Sequence, residues 1–186
     1  EMDARTLPAL ESARLRFEEA RGLDPGFALA WAGEAQTVIL LSDGPGSYGE
    51  IPRLEAIDTA RRLLEQAYAL APEDPQVLGV YGLVESNAFQ FGRALEYFQR
   101  SLLANPSSGE VLNWQRQAQA ATGLVRQSLA TTARMVEVDP LSKIALFNAA
   151  ASFVNTPYDD GDQVERLLDR LEELDRGFGV YARGLV

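Results

Sequence analysis

The side chains that most enzymes use for acid–base or nucleophilic work at neutral pH are missing here: the sequence holds no histidine and no cysteine. That removes an imidazole base, a thiolate nucleophile and a soft-ligand zinc site together. Carboxylates, amides and glycine-rich turns remain. Gly44-Pro45-Gly46-Ser47-Tyr48-Gly49 fits the G-x-G-x-x-G spacing that cradles a dinucleotide pyrophosphate. Such chemistry needs a strand before the glycines and a helix N-terminus aimed at the phosphates. Helical periodicity precedes the motif and no strand pattern is visible, so the stretch reads as a flexible insert loop. Asp159-Asp160-Gly161-Asp162 has the acid density of a calcium loop, but Thr156 and Tyr158 occupy places where an EF-hand carries acids. Asp162 with Glu165 three residues on reads instead as a helix N-cap and capping box. From Asp159 to Asp175 eight acids face two arginines, a local charge of −6. That run is the solvated outer face of a terminal helix or an acidic docking face for a basic partner. Catalysis by this chain would need paired carboxylates in a cleft, and no pair stands apart from the helix-surface acids. Trp31 and Trp114 read as packing residues rather than ligand stackers.

The whole chain narrows the classes further. Its 186 residues suit one ordinary domain, and 46% hydrophobic with 24% charged residues is a globular composition. A net charge of −10 and a pI near 4.5 repel a phosphate backbone, so direct nucleic-acid binding by this segment is not expected. No apolar run approaches the ~18 residues of a membrane span, and the opening residues lack a signal-peptide pattern. Membrane insertion by this segment is therefore not expected either. A cysteine-free chain suits cytoplasm and periplasm alike and decides between neither. Opening on Glu1 and ending in the uncapped apolar stretch Phe178 to Val186, the sequence reads as a piece of something longer.

The elements come from a repeated phrase. Ala60, Leu64, Ala67 and Pro72 return as Ala94, Phe98, Ser101 and Pro106, then as Ser128, Thr132, Met135 and Pro140, the prolines 34 residues apart each time. A fixed period of this length marks a helical repeat array. Ala13, Phe17, Ala20 and Pro25 carry the phrase once more, ahead of a 47-residue interval that holds 13 extra residues. Apolar spacing and stop signals place helices at 6–21, 27–41, 51–70, 76–88, 93–104, 110–122, 125–138, 142–155 and 162–175, with the start of a tenth beyond. Leu78, Tyr81-Gly82 and Ala94 mark a close helix–helix approach. The apolar stripe of 110–122, formed by Val111, Trp114, Ala118 and Ala121, is turned relative to its counterparts, as though that helix were rotated about its axis. Val164, Leu167, Leu168, Leu171 and Leu174 form the inner face of the last complete helix.

With Trp31, Tyr81-Gly82, Ala94, Phe98 and the periodic prolines, residues 6 to 175 resemble the tetratricopeptide repeat family. The resemblance implies an all-α, right-handed superhelical solenoid of antiparallel hairpins over 1–186. Its parts are a half-repeat at 6–25, a repeat at 26–72 with a loop insert at 42–50, repeats at 73–106 and 107–140, an irregular repeat at 141–177 and a truncated tail at 178–186. Two departures stand out. The family's Leu-Gly pair falls on Gln115-Arg116, and the spacing breaks after Pro157. The phrasing Phe17 to Gly33, the Gly/Pro insert and Val138-Asp139-Pro140-Leu141-Ser142 also resemble the repeat regions of bacterial multidomain regulators that carry a winged-helix domain or a nucleotide cyclase. By the family's geometry, first helices line a concave groove, and Gln36, Gln76, Asn87, Asn113, Gln117 and Asn155 lie on or near it. A row of amides suits an extended peptide backbone. The resemblance thus implies a non-catalytic interaction or sensory scaffold for a peptide or partner domain, without cofactor or metal. A small-molecule sensor with the insert as its lid is the alternative, and exposed terminal helices offer a surface for a homodimer.

Overall fold

The computed structural model describes residues 6–44, 47–154 and 161–185. Among them the chain is helical throughout, with one isolated backbone bridge and no named strand. Two compact units divide at Pro106/Ser107.

The first unit holds α1 (Leu7–Leu23), α2 (Ala28–Leu40), α3 (Arg53–Leu70), α4 (Pro75–Asn87) and α5 (Phe91–Ala104). The prolines end the helices as expected: Asp24, Ala71 and Asn105, each just before a proline, cap α1, α3 and α5 with backbones turned out of the helical region. The chain then restarts at once. Asp74 Oδ1 accepts from the N–H groups of Gln76 at 2.8 Å and Val77 at 3.1 Å, with Pro75 in the first helical turn of α4. α2 packs between α1 and α3, and α4 packs on α5, α2 and α3. The close approach read from Gly82 is real. A Cβ built there would lie 2.4 Å from the ring of Phe98, itself fully buried on α5. Gly33 on α2 meets the ring of Phe17 at the same distance.

The insert at 42–50 differs from expectation. Tyr48 N–H donates to Leu40 O at 2.8 Å, Ile51 N–H to Leu41 O at 3.1 Å and Asp43 N–H to Ile51 O at 2.8 Å. Ser42, buried, donates from Oγ to Ile39 O, and Asp43 Oδ1 accepts from Arg53 N–H to start α3. Gly49 lies so close to this ladder that a Cβ would fall 2.1 Å from Leu41 O. In its described residues the loop is stitched to its own hairpin, because a tight reversal must satisfy its backbone groups internally.

The second unit holds α6 (Gly109–Ala121), α7 (Val125–Val138), α8 (Lys143–Val154), α9 (Gly161–Leu174) and α10 (Arg176–Arg183). Its core is Leu146, Ala149, Ala150 and Phe153 of α8 against Val164, Leu167, Leu168 and Leu171 of α9, closed by Ala182 of α10. Leu174, expected on that inner face, is 42% exposed. Asp162, expected as a cap, is the second residue of α9. The expected start of a tenth helix is a full two turns, capped by Asp175, whose Oδ1 accepts from Phe178 N–H at 3.0 Å.

The rotation expected of 110–122 is also absent. Val111, Leu112, Trp114, Ala118 and Gln119 are buried and Ala121 is exposed. Instead, side-chain sizes are exchanged in a constant register. Gly82 and Phe98 of the first unit correspond, 34 residues on, to Arg116 and Thr132. The large side chain has moved from the second helix to the first, and the fully buried Thr132 takes the ring's place.

Candidate functional site

The buried ions of the first unit are partnered. Glu85 of α4, only 2% exposed, lies 3.4 Å from Arg61 of α3 and 3.5 Å from Arg93 of α5. Glu34 of α2 is held by Arg21 of α1 at 2.5 Å. Each carboxylate serves the packing of its helices, as buried charges must be compensated to be tolerated. Beside them Tyr81 stacks on Tyr97 with centroids 4.9 Å apart and meets the edge of Tyr68 at 5.5 Å. Burial, reinforced by Tyr97, pushes the Tyr81 phenol up to about 12.

The six amides expected on the groove have different fates. Gln36 is 1% exposed, so its amide belongs to the interior of the first unit; it lies on the α2 face turned to its neighbours. Gln76 is exposed on the first turn of α4. Asn87, half-buried at the end of α4, donates from Nδ2 to Leu83 O at 2.9 Å within its own helix. Gln117 is exposed on α6. Asn155 lies outside the described residues. Asn113, half-buried, is the one found in a cluster: its Oδ1 accepts from Asn148 Nδ2 at 3.4 Å and Arg116 Nη2 at 3.3 Å.

That cluster belongs wholly to the second unit. Arg116 also donates from Nη1 to Ser152 Oγ at 3.4 Å, and Ser152 donates to Asn148 O at 2.6 Å. Ser128 of α7 fixes the helix behind it, donating from Oγ to Arg116 O at 3.1 Å. Together Arg116, Asn148 and Ser152 line a cavity of about 370 Å³ with Ala120, Leu129 and Ala151. Arg116 Nε is buried with no hydrogen-bond partner, and burial lowers the guanidinium pKa below its ordinary value. Arg116, Asn148 and Ser152 were missed as site residues by sequence reasoning. The signal that could have found Arg116 was the departure at Gln115-Arg116, where the preceding repeat has Tyr81-Gly82.

The acidic run is partly paired at the surface of the second unit. Arg183 of α10 bonds Glu165, Asp169 and Glu172 of α9, and Lys143 bonds Asp175 at 2.8 Å. Among the described residues no group of three or more acids is arranged to hold a metal, and no helix is long and apolar enough to cross a membrane.

No protein-family profile matches the chain. Among curated proteins it is similar to the protein adenylyltransferase Fic of Aedes aegypti, 44% identical over 64 residues, which is 33% of this chain and 13% of that protein. It also resembles the protein adenylyltransferase Fic of Drosophila erecta, 39% identical over 95 residues. The chain thus spans less than a fifth of the length of these relatives, 13% and 19%. Among solved structures, TTC0263, a thermophilic TPR protein of Thermus thermophilus, superposes with a TM-score of 0.73 at 14% identity, covering 96% of this chain and 91% of that one. YrrB, a TPR protein with an unusual peptide-binding site, superposes with a TM-score of 0.59 at 21% identity over 96% of this chain and 85% of its own. The 34-residue phrase, the paired helices and these superpositions agree: the chain has the tetratricopeptide-repeat fold.

Proposed function

We propose that this segment is a non-catalytic interaction module within a larger regulatory protein, as expected of the bacterial regulators its phrasing resembles, and that it holds an extended peptide or partner domain. The observation that carries the reading is the polar surface of the second unit. There Asn113 and Asn148 meet beside the exposed Gln117. Amides offer donors and acceptors without net charge, which matches a peptide backbone better than a charged or apolar ligand. The solved structures support a binding scaffold through fold alone. The short overlap with Fic proteins supports a place inside a longer chain, with any transfer chemistry carried elsewhere in it. The buried carboxylates Glu34 and Glu85 are each tied to arginine, which leaves them unsuited to general acid–base work.

The test is retention of partners from lysate of the source organism by the wild-type segment beside Asn87→Ala and an Asn113→Ala/Gln117→Ala pair. A partner kept by wild type and Asn87→Ala but lost by the pair is the expected result. Equal retention by all three places the contact elsewhere and refutes the amide surface as the binding site.

A cavity of about 570 Å³ between α1 and the insert, lined by Leu7, Glu11, Arg14, Leu15, Leu41 and Ile51, gives the small-molecule sensor reading its own observation. Its volume lies in the usual ligand range. In this second reading the hydrogen bonds of Tyr48 and Ile51 to Leu40 and Leu41 favour the insert as a wall of that cavity over a lid.

A further inference from the structure

We propose that the Arg116 cavity of the second unit is a binding site for a single oxyanion, a carboxylate or a phosphate group. The inference rests on the interaction reading above only for the source of that group, an acidic side chain of the bound segment; the site itself stands on its own geometry. The two buried carboxylates described in this chain each have an opposite charge against them: Glu85 has Arg61 and Arg93, and Glu34 has Arg21. Arg116 breaks the pattern. Its guanidinium bonds only the neutral Ser152 and Asn113, both at long range, and Nε has no partner. Among the described residues no carboxylate is paired with it, although the chain carries 27 acids against 17 bases.

Burying a charge without its counter-charge is costly, and a protein ordinarily supplies one from its own side chains. Here the guanidinium lines a cavity of about 370 Å³, large enough for a carboxylate or a phosphate group. The rest of the wall suits the same guest. Asn148 has a second amide N–H to offer an anion beyond the one it gives Asn113, while Ala120, Ala151 and Leu129 lower the local dielectric and strengthen its attraction to Arg116. A planar guanidinium is the side chain best matched to oxyanions; with Nε closed off, the anion would meet its terminal Nη groups. The local fold keeps it in place: Ser128 Oγ grips the Arg116 carbonyl, and Arg116 stands where the preceding repeat has Gly82.

The test is the side-chain Nε–H NMR signal of Arg116 during titration with sodium acetate, sodium phosphate and sodium chloride at matched ionic strength. The expected result is a saturable shift with acetate or phosphate that chloride does not produce, lost in Arg116→Gln; which of the two saturates at lower concentration names the oxyanion. Asn148→Asp is the second variant. It places a carboxylate inside the cavity, so it should raise Tm by about 2–4 °C and abolish the response to added anions. An Arg116 signal that follows chloride as closely as acetate and phosphate overturns the proposal, as does an Asn148→Asp protein with a lower Tm. Failure of the amide surface in partner retention would leave these titrations unchanged, so the two readings fail separately.

Discussion

Gly82 and Phe98 show how far one side chain can govern a helix pair. The ring fills the space a Cβ would need, with 2.4 Å between them, and it is fully buried, so neither partner can yield by moving into solvent. Gly82→Ala should therefore cost about 1–3 kcal/mol through overpacking, read as a lower midpoint of urea unfolding. Combining it with Phe98→Leu, which opens room beside the new methyl, should cost less than the two single changes added together; strict additivity would show that the contact is not the reason for the glycine. Phe89 is a second residue-scale exception. It holds a φ of 58° at the α4–α5 turn, where the next repeat has Gly123 at 76°. The backbone there asks for glycine, yet the ring sits under Arg53 at 4.6 Å and against Phe91 at 6.0 Å.

At the scale of elements, α10 is fastened by charge as much as by packing. Gly179 lets it lie against the backbone of Glu172, Arg183 gathers three acids of α9, and Asp175 caps its first turn. The hydrogen bond from Lys143, then that from Phe178 N–H, lowers the Asp175 pKa below its ordinary value. A carboxyl lowered in this way adds stability that is whole above the unfolded carboxylate range, near 4, and is lost as pH falls through its folded value. Wild-type Tm should therefore drop more steeply below about pH 4 than that of Asp175→Asn, which has already lost the charge. Parallel curves would show that the cap contributes nothing through its charge. The same elements show what the sequence could carry. Helix ends were legible because prolines and caps act locally, and nine of the expected helices lie within two residues of their observed bounds. The stitched insert was not legible, since a glycine-rich stretch looks alike whether its amides bond water or one another. Nor was the Arg116 site. Arg116 was visible as a departure from the repeat, but Asn148 and Ser152 lie a full hairpin away, and only tertiary packing brings them to it.

Over the whole molecule, stability is distributed between two units that meet in sequence at Pro106/Ser107, each with its own buried core. In repeat proteins each module draws its stability from its immediate neighbours. Native-state hydrogen exchange in rising urea should then resolve the amides of α1–α5 and of α6–α10 into two sets with separate opening free energies; convergence of all core amides on one value would show a single cooperative body. The exchange of sizes between Gly82/Phe98 and Arg116/Thr132 has a consequence for how such a chain can change over generations. A crossover that joins the first helix of one hairpin to the second helix of another would set arginine against phenylalanine, or glycine against threonine, giving a collision in one product and a hole in the other. Chimeras that exchange whole hairpins should therefore fold, while those cut between the two helices of a hairpin should unfold at lower temperature; equal Tm values for both sets would show that the size pairing does not matter.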